Sequence, residues 1–267
     1  MIKLAVAGAA GRMGKAILML AAQDKSFSIA GGIEHPESSA LGTDIGELLG
    51  VEPLGVKVSG SPYEILQKAD VLIDFTHPSA TPGHLKAAVK TKTGYVVGTT
   101  GLGESILRDI RKASKIIPVV QSPNMSIGVN LLFRLAELTA VALDESYDIE
   151  IAEIHHRLKK DAPSGTAVKL LEILASARGK NLKKDVVYER KGETDVRPPG
   201  KLGVFALRGG DVVGDHTVYF LGDGERIELS HRASSRDAFA QGALRAAKFV
   251  AKRNSGLYHM QQVLGIA

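Results

Sequence analysis

Five residues able to hold or move charge, His155, His156, Arg157, Lys159 and Lys160, sit together just ahead of Ser164-Gly165-Thr166-Ala167. The stretch before them reads as the end of an alternating strand, with Ile149, Ile151 and Ile154 among acidic neighbours. The stretch after them reads as the start of a helix, for which Ser164 and Thr166 offer capping hydroxyls. A helix N-terminus with free backbone N–H groups, set beside a cationic cluster, suits an anion carrying more than one charge. Two imidazoles add groups that exchange protons near neutral pH. A lysine among other cations and partly desolvated gives up its proton more readily. Adjacent positions on a strand face opposite ways, so His155 and His156 are not paired ligands of one metal. No cysteine and no His-x-x-x-His arrangement supplies further ligands.

The rest of the chain must position this segment. At 267 residues, 44% hydrophobic and 24% charged, it has room for one large or two modest domains with packed cores. No run of eighteen apolar residues is present, so no membrane span is expected. The first residues enter a strand pattern without a signal-peptide layout, and the absence of cysteine excludes thiolate chemistry and disulfides; both fit a cytoplasmic protein. The net charge of +5 is spread, with Lys and Arg interleaved among Asp and Glu, which disfavours nucleic acid and favours small anionic ligands.

Lys3 to Ala7 reads as a buried strand, followed by Gly8-Ala9-Ala10-Gly11-Arg12-Met13-Gly14 and an apolar helical pattern. Strand, glycine turn and helix is the layout of a dinucleotide fingerprint, in which the backbone approaches a pyrophosphate at a helix N-terminus. Its spacing here is Gly-x-x-Gly-x-x-Gly, and glycine turns also serve tight packing. A second strand ends at Glu34, about twenty residues past the last glycine, where an acid can accept bonds from ribose hydroxyls. Further strands are expected at 56–58, 71–75, 95–97 and 118–121, alternating with helices at 62–69, 84–89 and 104–115. This predicts a Rossmann-like, doubly wound parallel sheet. Thr76-His77-Pro78, Gly98-Thr99-Thr100-Gly101 and Ser122-Pro123-Asn124-Met125 fall at the carboxyl ends of those strands, where such sheets bind ligands.

After Ser126 the character changes. A long helix over 129–143, the strand 148–155 and a helix from Ser164 precede a polar stretch at 179–203. Segments 201–208, 212–221 and 225–230 read as antiparallel strands, with Gly209-Gly210-Asp211 and Gly222-Asp223-Gly224 as turns. A last helix at 237–252 is expected to return to the first domain. The expectation is an α/β protein: residues 1–126 with 236–267 form a dinucleotide-binding domain. Residues 127–235 form an inserted α+β domain with a mixed or antiparallel sheet, for substrate binding and oligomerisation. The residues alone therefore describe a hydride-transferring enzyme for a small polyanion.

The run Glu150-Ile-Ala-Glu153-Ile-His155-His156-Arg-Leu-Lys159-Lys-Asp161-Ala-Pro-Ser164-Gly165-Thr166-Ala167 resembles the signature of the 4-hydroxy-tetrahydrodipicolinate (dihydrodipicolinate) reductases. The likeness extends through the glycine turn, Asp74 to Pro78, Gly98 to Gly101, Asn124 to Asn130, Gly209 to His216 and His231 to Arg236. The resemblance implies a cytoplasmic NADH- or NADPH-dependent oxidoreductase of lysine and diaminopimelate biosynthesis. It also implies a homotetramer assembled through the central-domain sheet. It makes His155 the catalytic histidine and Lys159 the proton donor, with His156, Gly165 and Thr166 holding a ring dicarboxylate. For the cofactor it implies Gly8, Ala9, Ala10, Gly11, Arg12, Met13, Glu34, Gly98, Thr99, Thr100, Ser122, Pro123, Asn124 and Met125. Hydride then reaches the ring after loss of water, and the enamine-like anion is protonated. A positioned acid accelerates such a step roughly a hundredfold or more.

Two positions depart from the family's better-known pattern, His35 after Glu34 and His77 in the Asp-Phe-Thr-x-Pro loop, where arginine is frequent. A neutral imidazole cannot form arginine's two-pronged pair with a 2′-phosphate. NADH is therefore expected to serve at least as well as NADPH, increasingly so above neutral pH. The alternatives are another two-domain nicotinamide oxidoreductase for a small anionic substrate, and a non-catalytic dinucleotide sensor. Neither requires His155-His156-x-x-Lys159 joined to Ser164-Gly165-Thr166.

Overall fold

The structure, a computed structural model, describes all 267 residues. In chain order the elements are β1 (Ile2–Ala7), α1 (Arg12–Gln23), β2 (Phe27–Ile33), α2 (Ile45–Leu49), β3 (Val58–Ser59), α3 (Pro62–Leu66), β4 (Val71–Asp74), α4 (Thr81–Thr91), β5 (Gly94–Val97), α5 (Glu104–Ala113), β6 (Pro118–Gln121) and α6 (Ile127–Ala142). There follow β7 (Asp148–His155), α7 (Gly165–Ala177), β8 (Val186–Val187), β9 (Leu202–Arg208), β10 (Gly214–Gly222), β11 (Glu225–Ala233), α8 (Asp237–Val250), β12 (Gly256–Tyr258) and α9 (Met260–Leu264). Contacts divide them into two compact units, Met1–Ile127 with Arg236–Ala267, and Gly128–Ser235. No helix is long and apolar enough to cross a membrane.

The first unit holds seven strands in the order β12-β6-β5-β4-β1-β2-β3, every neighbouring pair parallel. Strands β1, β4 and β5 are short and almost wholly apolar because both their faces are covered; Leu4, Val6, Ile73 and Val96 are fully buried. Each such side chain removed from water contributes about 1.5–3 kcal/mol. The chain winds outward from β1 through β2 and β3, then crosses to β4, β5 and β6 on the other side. The order thus reverses between β1 and β4, which is where doubly wound sheets leave a crevice. Helix α8 lies against α1, β4, β5 and β6, with Ala243, Ala246, Ala247 and Val250 in the core. Small residues allow this approach: a Cβ on Gly94 would strike Val250, and one on Gly242 would strike the carbonyl of Met125.

The second unit holds five strands in the order β11-β10-β7-β9-β8. The pairs β10–β11 and β10–β7 are antiparallel, while β7–β9 and β8–β9 are parallel. This corrects the reading of 201–208 as one of three antiparallel strands. Strand β9 does not pair with β10, because β7 lies between them, and Gly209-Gly210-Asp211 is not a hairpin turn. The true hairpin is β10–β11, where Gly222 pairs with Glu225 across Asp223-Gly224 and Gly224 takes φ +87°. Strand β7 alternates as its sequence suggested, but the buried set is Ile149, Ile151, Glu153 and His155. Ile154 falls on the opposite face. Helix α7 lies against β7 and β9, burying Leu170, Leu171 and Leu174. Alternation without helical period also hid β8, β12 and the short helices α2 and α9, which are too brief for a pattern to register.

Candidate active site

In the second unit the chemistry gathers on Glu153, which has no solvent exposure. Its carboxylate accepts from Nδ1 of His155 at 2.5 Å, from both guanidinium amines of Arg208 at 2.9 Å, and from the backbone amide of Ser164 at 3.0 Å. Burial by itself would raise Glu153; the bonds from His155, Arg208 and Ser164 outweigh it and hold the carboxyl at about 2. An ionised carboxylate only accepts, so Nδ1 of His155 is the donor and Nε2 is left as the nitrogen open to exchange. That nitrogen faces Gly214 on β10.

Ser164 is held at three points. Its amide goes to Glu153, its hydroxyl accepts from the amide of Ala167 at 3.2 Å as the N-cap of α7, and the same oxygen lies 3.1 Å from Nε2 of His216. Because the hydroxyl already accepts at the cap, its proton is the one directed at His216. Burial first, and then neighbouring His155, hold His216 down at about 3, so it is neutral and can accept that bond. The rings of His155 and His216 meet edge to face with centroids 5.2 Å apart. One strand further out, His231 pairs in register with His216; burial lowers it as well, against the opposing influence of Asp215.

Strand β7 ends at His155, and the chain then turns along the β9–β10 connection. The amide of His156 donates to Val212, that of Arg157 to Gly210, and that of Gly209 to His155. Lys159 is partly buried, and its Nζ lies 3.0 Å from Asp161. It is therefore held by an acid, where the sequence suggested only cationic neighbours. His156 is half-buried with Nδ1 unpartnered, Gly165 is exposed, and a side chain at Gly165 would meet nothing. Gly165 and Thr166 form the first turn of α7, a helix of 13 residues whose positive end faces out there.

In the first unit a cleft of about 290 Å³ opens at the carboxyl ends of β4, β5 and β6. It is lined by Met13, Thr76, Gly98, Thr99, Thr100, Pro123, Asn124 and Met125, all expected from sequence to face a ligand, and by Phe75 and Phe239, which were not. Gly8, Ala9, Ala10, Gly11, Arg12, Glu34 and Ser122 do not line it. Gly8 takes φ +74°, and a Cβ there would stand 2.9 Å from the carbonyl of Phe75. A Cβ on Gly14 would enter the backbone of Gly8 and Ala9, so this glycine lets α1 pack onto the turn. Gly11 caps α1 without a side-chain bond. Glu34 accepts from the amide of Ala10 at 2.8 Å, tying the turn to the end of β2. Ser122 donates to the carbonyl of Asn124 at 2.8 Å, shaping that loop from within.

Sequence reasoning missed Glu153, Arg208 and His216. Glu153 could have been found from the period of two that begins at Ile149. Arg208 and His216 reach the site only through strand pairing, opposite His155 and Glu153 respectively.

A doubly wound parallel sheet with a glycine turn at its first crossover, joined to a mixed-sheet unit bearing a buried acid–base cluster, defines a nicotinamide-dependent oxidoreductase of two parts. The chain belongs to the dihydrodipicolinate reductase family. The model described as "Dihydrodipicolinate reductase, N-terminus" matches residues 2–125, and "Dihydrodipicolinate reductase, C-terminus" matches residues 128–264. The 4-hydroxy-tetrahydrodipicolinate reductase of Aquifex aeolicus (strain VF5) is 52% identical over 99% of both chains. That of Thiobacillus denitrificans (strain ATCC 25259 / T1) is 49% identical over 99% of both. Among solved structures, a dipicolinate-bound dihydrodipicolinate reductase from Paenisporosarcina sp. TG-14 has the same fold. It aligns with a TM-score of 0.77 at 22% identity, over 98% of each chain.

Proposed function

We propose that the protein reduces 4-hydroxy-tetrahydrodipicolinate to tetrahydrodipicolinate with NADH or NADPH, a step of lysine and diaminopimelate biosynthesis. The observation that carries this reading is the joint attachment of His155 and Ser164 to Glu153. It couples a proton-exchanging ring to the start of a helix suited to a carboxylate. Relatives at about half identity over the full chain carry the same activity in their names.

The first unit fits a dinucleotide. Gly8 and Gly98 leave space that a Cβ would close against Phe75, and Gly11 presents the first turn of α1 with no side chain across it. Gly8 to Met13 would hold the pyrophosphate, Glu34 the adenosine ribose, and Gly98 to Thr100 with Ser122 to Met125 the nicotinamide end. A reduced nicotinamide bound there supplies the hydride. Gly165 and Thr166 take one ring carboxylate through backbone amides and a hydroxyl, and His156 contacts the ring. Lys159 delivers the proton to the ring carbon beside the hydride's destination, while His155 Nε2 exchanges protons next to it. Asp161 aims the Lys159 ammonium.

His35 and His77 stand where a 2′-phosphate would call for arginine, so NADH serves at least as well as NADPH. The sheet face opposite α7 carries Ile154 and Leu207, half-buried and exposed, and is the surface for a homotetramer. A cytoplasmic location accompanies this reading. The test is NADH oxidation with the product of dihydrodipicolinate synthase, set against a 2-oxo acid plus ammonia. Turnover of the first alone supports the proposal; turnover of only the second overturns it. Lys159→Ala should abolish turnover with NADH binding nearly intact, and surviving turnover removes Lys159 as donor.

A further inference from the structure

We propose that the buried carboxylate of Asp74 is a positioning residue for the dinucleotide, fastening together the two loops that form one wall of its cleft. This rests on the reading that the first unit binds the cofactor.

Asp74 is the last residue of β4, beside the reversal in strand order, and has no solvent exposure. Five donors converge on it. Oδ1 accepts from the amide of Thr76 at 3.0 Å, from the Thr76 hydroxyl at 2.6 Å and from the Thr99 hydroxyl at 3.2 Å. Oδ2 accepts from Tyr95 at 2.5 Å and from Nδ1 of His84 at 2.9 Å. The two oxygens thus have separate duties. Oδ1 joins the loop after β4 to the loop after β5, and Oδ2 is anchored from below by β5 and α4.

The join is doubled, because the Thr76 amide also lies 3.1 Å from the Thr99 hydroxyl and the amide of Gly98 donates to the carbonyl of Asp74 at 2.9 Å. Thr76, Gly98 and Thr99 all face the cleft, whereas Asp74, Tyr95 and His84 do not line it. Gly8, the first glycine of the phosphate turn, packs against Phe75 and Thr76 as well. Moving the Thr76 loop therefore disturbs both this wall and the glycine turn packed behind it.

A sheet core does not need this cluster for stability. Burying an ion costs several kcal/mol before its partners act, and apolar residues of similar volume are often as stable. Burial alone would raise the Asp74 carboxyl, yet the bonds from His84, Thr76 and Tyr95 outweigh it and leave the group lowered. Tyr95 is raised well above its ordinary value, by burial first and then by the Asp74 charge, so it remains a donor. What the cluster adds is direction: a carboxylate accepts from several donors at fixed angles, which an aliphatic side chain cannot do.

The experiment compares Asp74→Asn, Thr99→Val and Tyr95→Phe with the unaltered protein. NADH binding is followed by its fluorescence, and steady-state KM values are taken for NADH and, at saturating NADH, for the dicarboxylate substrate. Positioning predicts that the NADH dissociation constant and KM rise about tenfold in Asp74→Asn and Thr99→Val and severalfold in Tyr95→Phe. The KM for the dicarboxylate should stay within twofold. A lowered thermal midpoint with NADH binding within twofold of the unaltered protein in Thr99→Val and Tyr95→Phe overturns the proposal. Should Asp74→Asn fail to fold, Tyr95→Phe decides it, because Tyr95 does not itself line the cleft. If the unaltered protein binds neither NADH nor NADPH, the cofactor reading itself falls and the proposal with it.

Discussion

The Nε2 atom of His155 lies so close to β10 that a Cβ on Gly214 would stand 2.9 Å from it. The ring cannot swing away cheaply, because Nδ1 is fixed by Glu153. Gly214 takes no positive φ, so alanine strains no backbone there. Gly214→Ala should therefore lower kcat at least tenfold, with a loss of about 1–3 kcal/mol of stability from the crowding. Unchanged kcat would show that Nε2 does not handle the proton.

Glu153→Gln leaves the half-buried Arg208 guanidinium without its charged partner, a loss on the order of 1–3 kcal/mol. It also releases the tautomer of His155. Adding Arg208→Met should restore much of the stability, read from urea midpoints, with kcat still low. Recovery of kcat alongside stability would mean that Glu153 matters for folding alone.

Acid should weaken the fold through two groups acting in the same direction. His216 takes a proton near 6.5 when unfolded and only near about 3 when folded. The stability from its neutral form is complete above 6.5 and is lost as pH falls toward 3. Glu153 goes from 4.5 to about 2 on folding, so its contribution is present above 4.5 and fades below. Between pH 7 and pH 4.5, stability should drop by a few kcal/mol, on the order expected from such shifts. In His216→Asn the drop should be clearly smaller. Equal drops would mean that His216 is not the group that titrates.

His35→Arg provides the missing guanidinium beside Glu34. The kcat/KM for NADPH should rise about tenfold, with that for NADH within threefold. A strong NADPH preference already present with His35 would contradict the reading of this position.

Much of the site could be read from local pattern. His155, Lys159, Ser164, Gly165 and Thr166 occupy one short stretch, and the change from period two to a capped helix places them together. The cleft loops were legible for a similar reason, since each follows an apolar parallel strand. Glu153 was hidden by its charge, which sequence reading assigns to the solvent side of a strand. Arg208 and His216 were hidden by distance along the chain, because strand register, not spacing, brings them opposite β7. The direction of β9 was misread because the glycines at 209 and 210 resemble a hairpin turn. Alternation says nothing about which neighbour a strand chooses, and β7 takes the place between β9 and β10.

The return of α8 and β12 to the first sheet sets an order of events during synthesis. When residue 127 has left the ribosome, the parallel sheet still lacks its β12 edge and the helix that covers β4, β5 and β6. Phe239, one side of the cleft, has not yet been made. Residues 128–235 are continuous and hold all five of their strands as soon as Ser235 is added. The inserted unit can thus finish while the nascent first unit is still waiting for its closing segment, leaving Leu4, Val6 and their neighbours partly uncovered until α8 joins them.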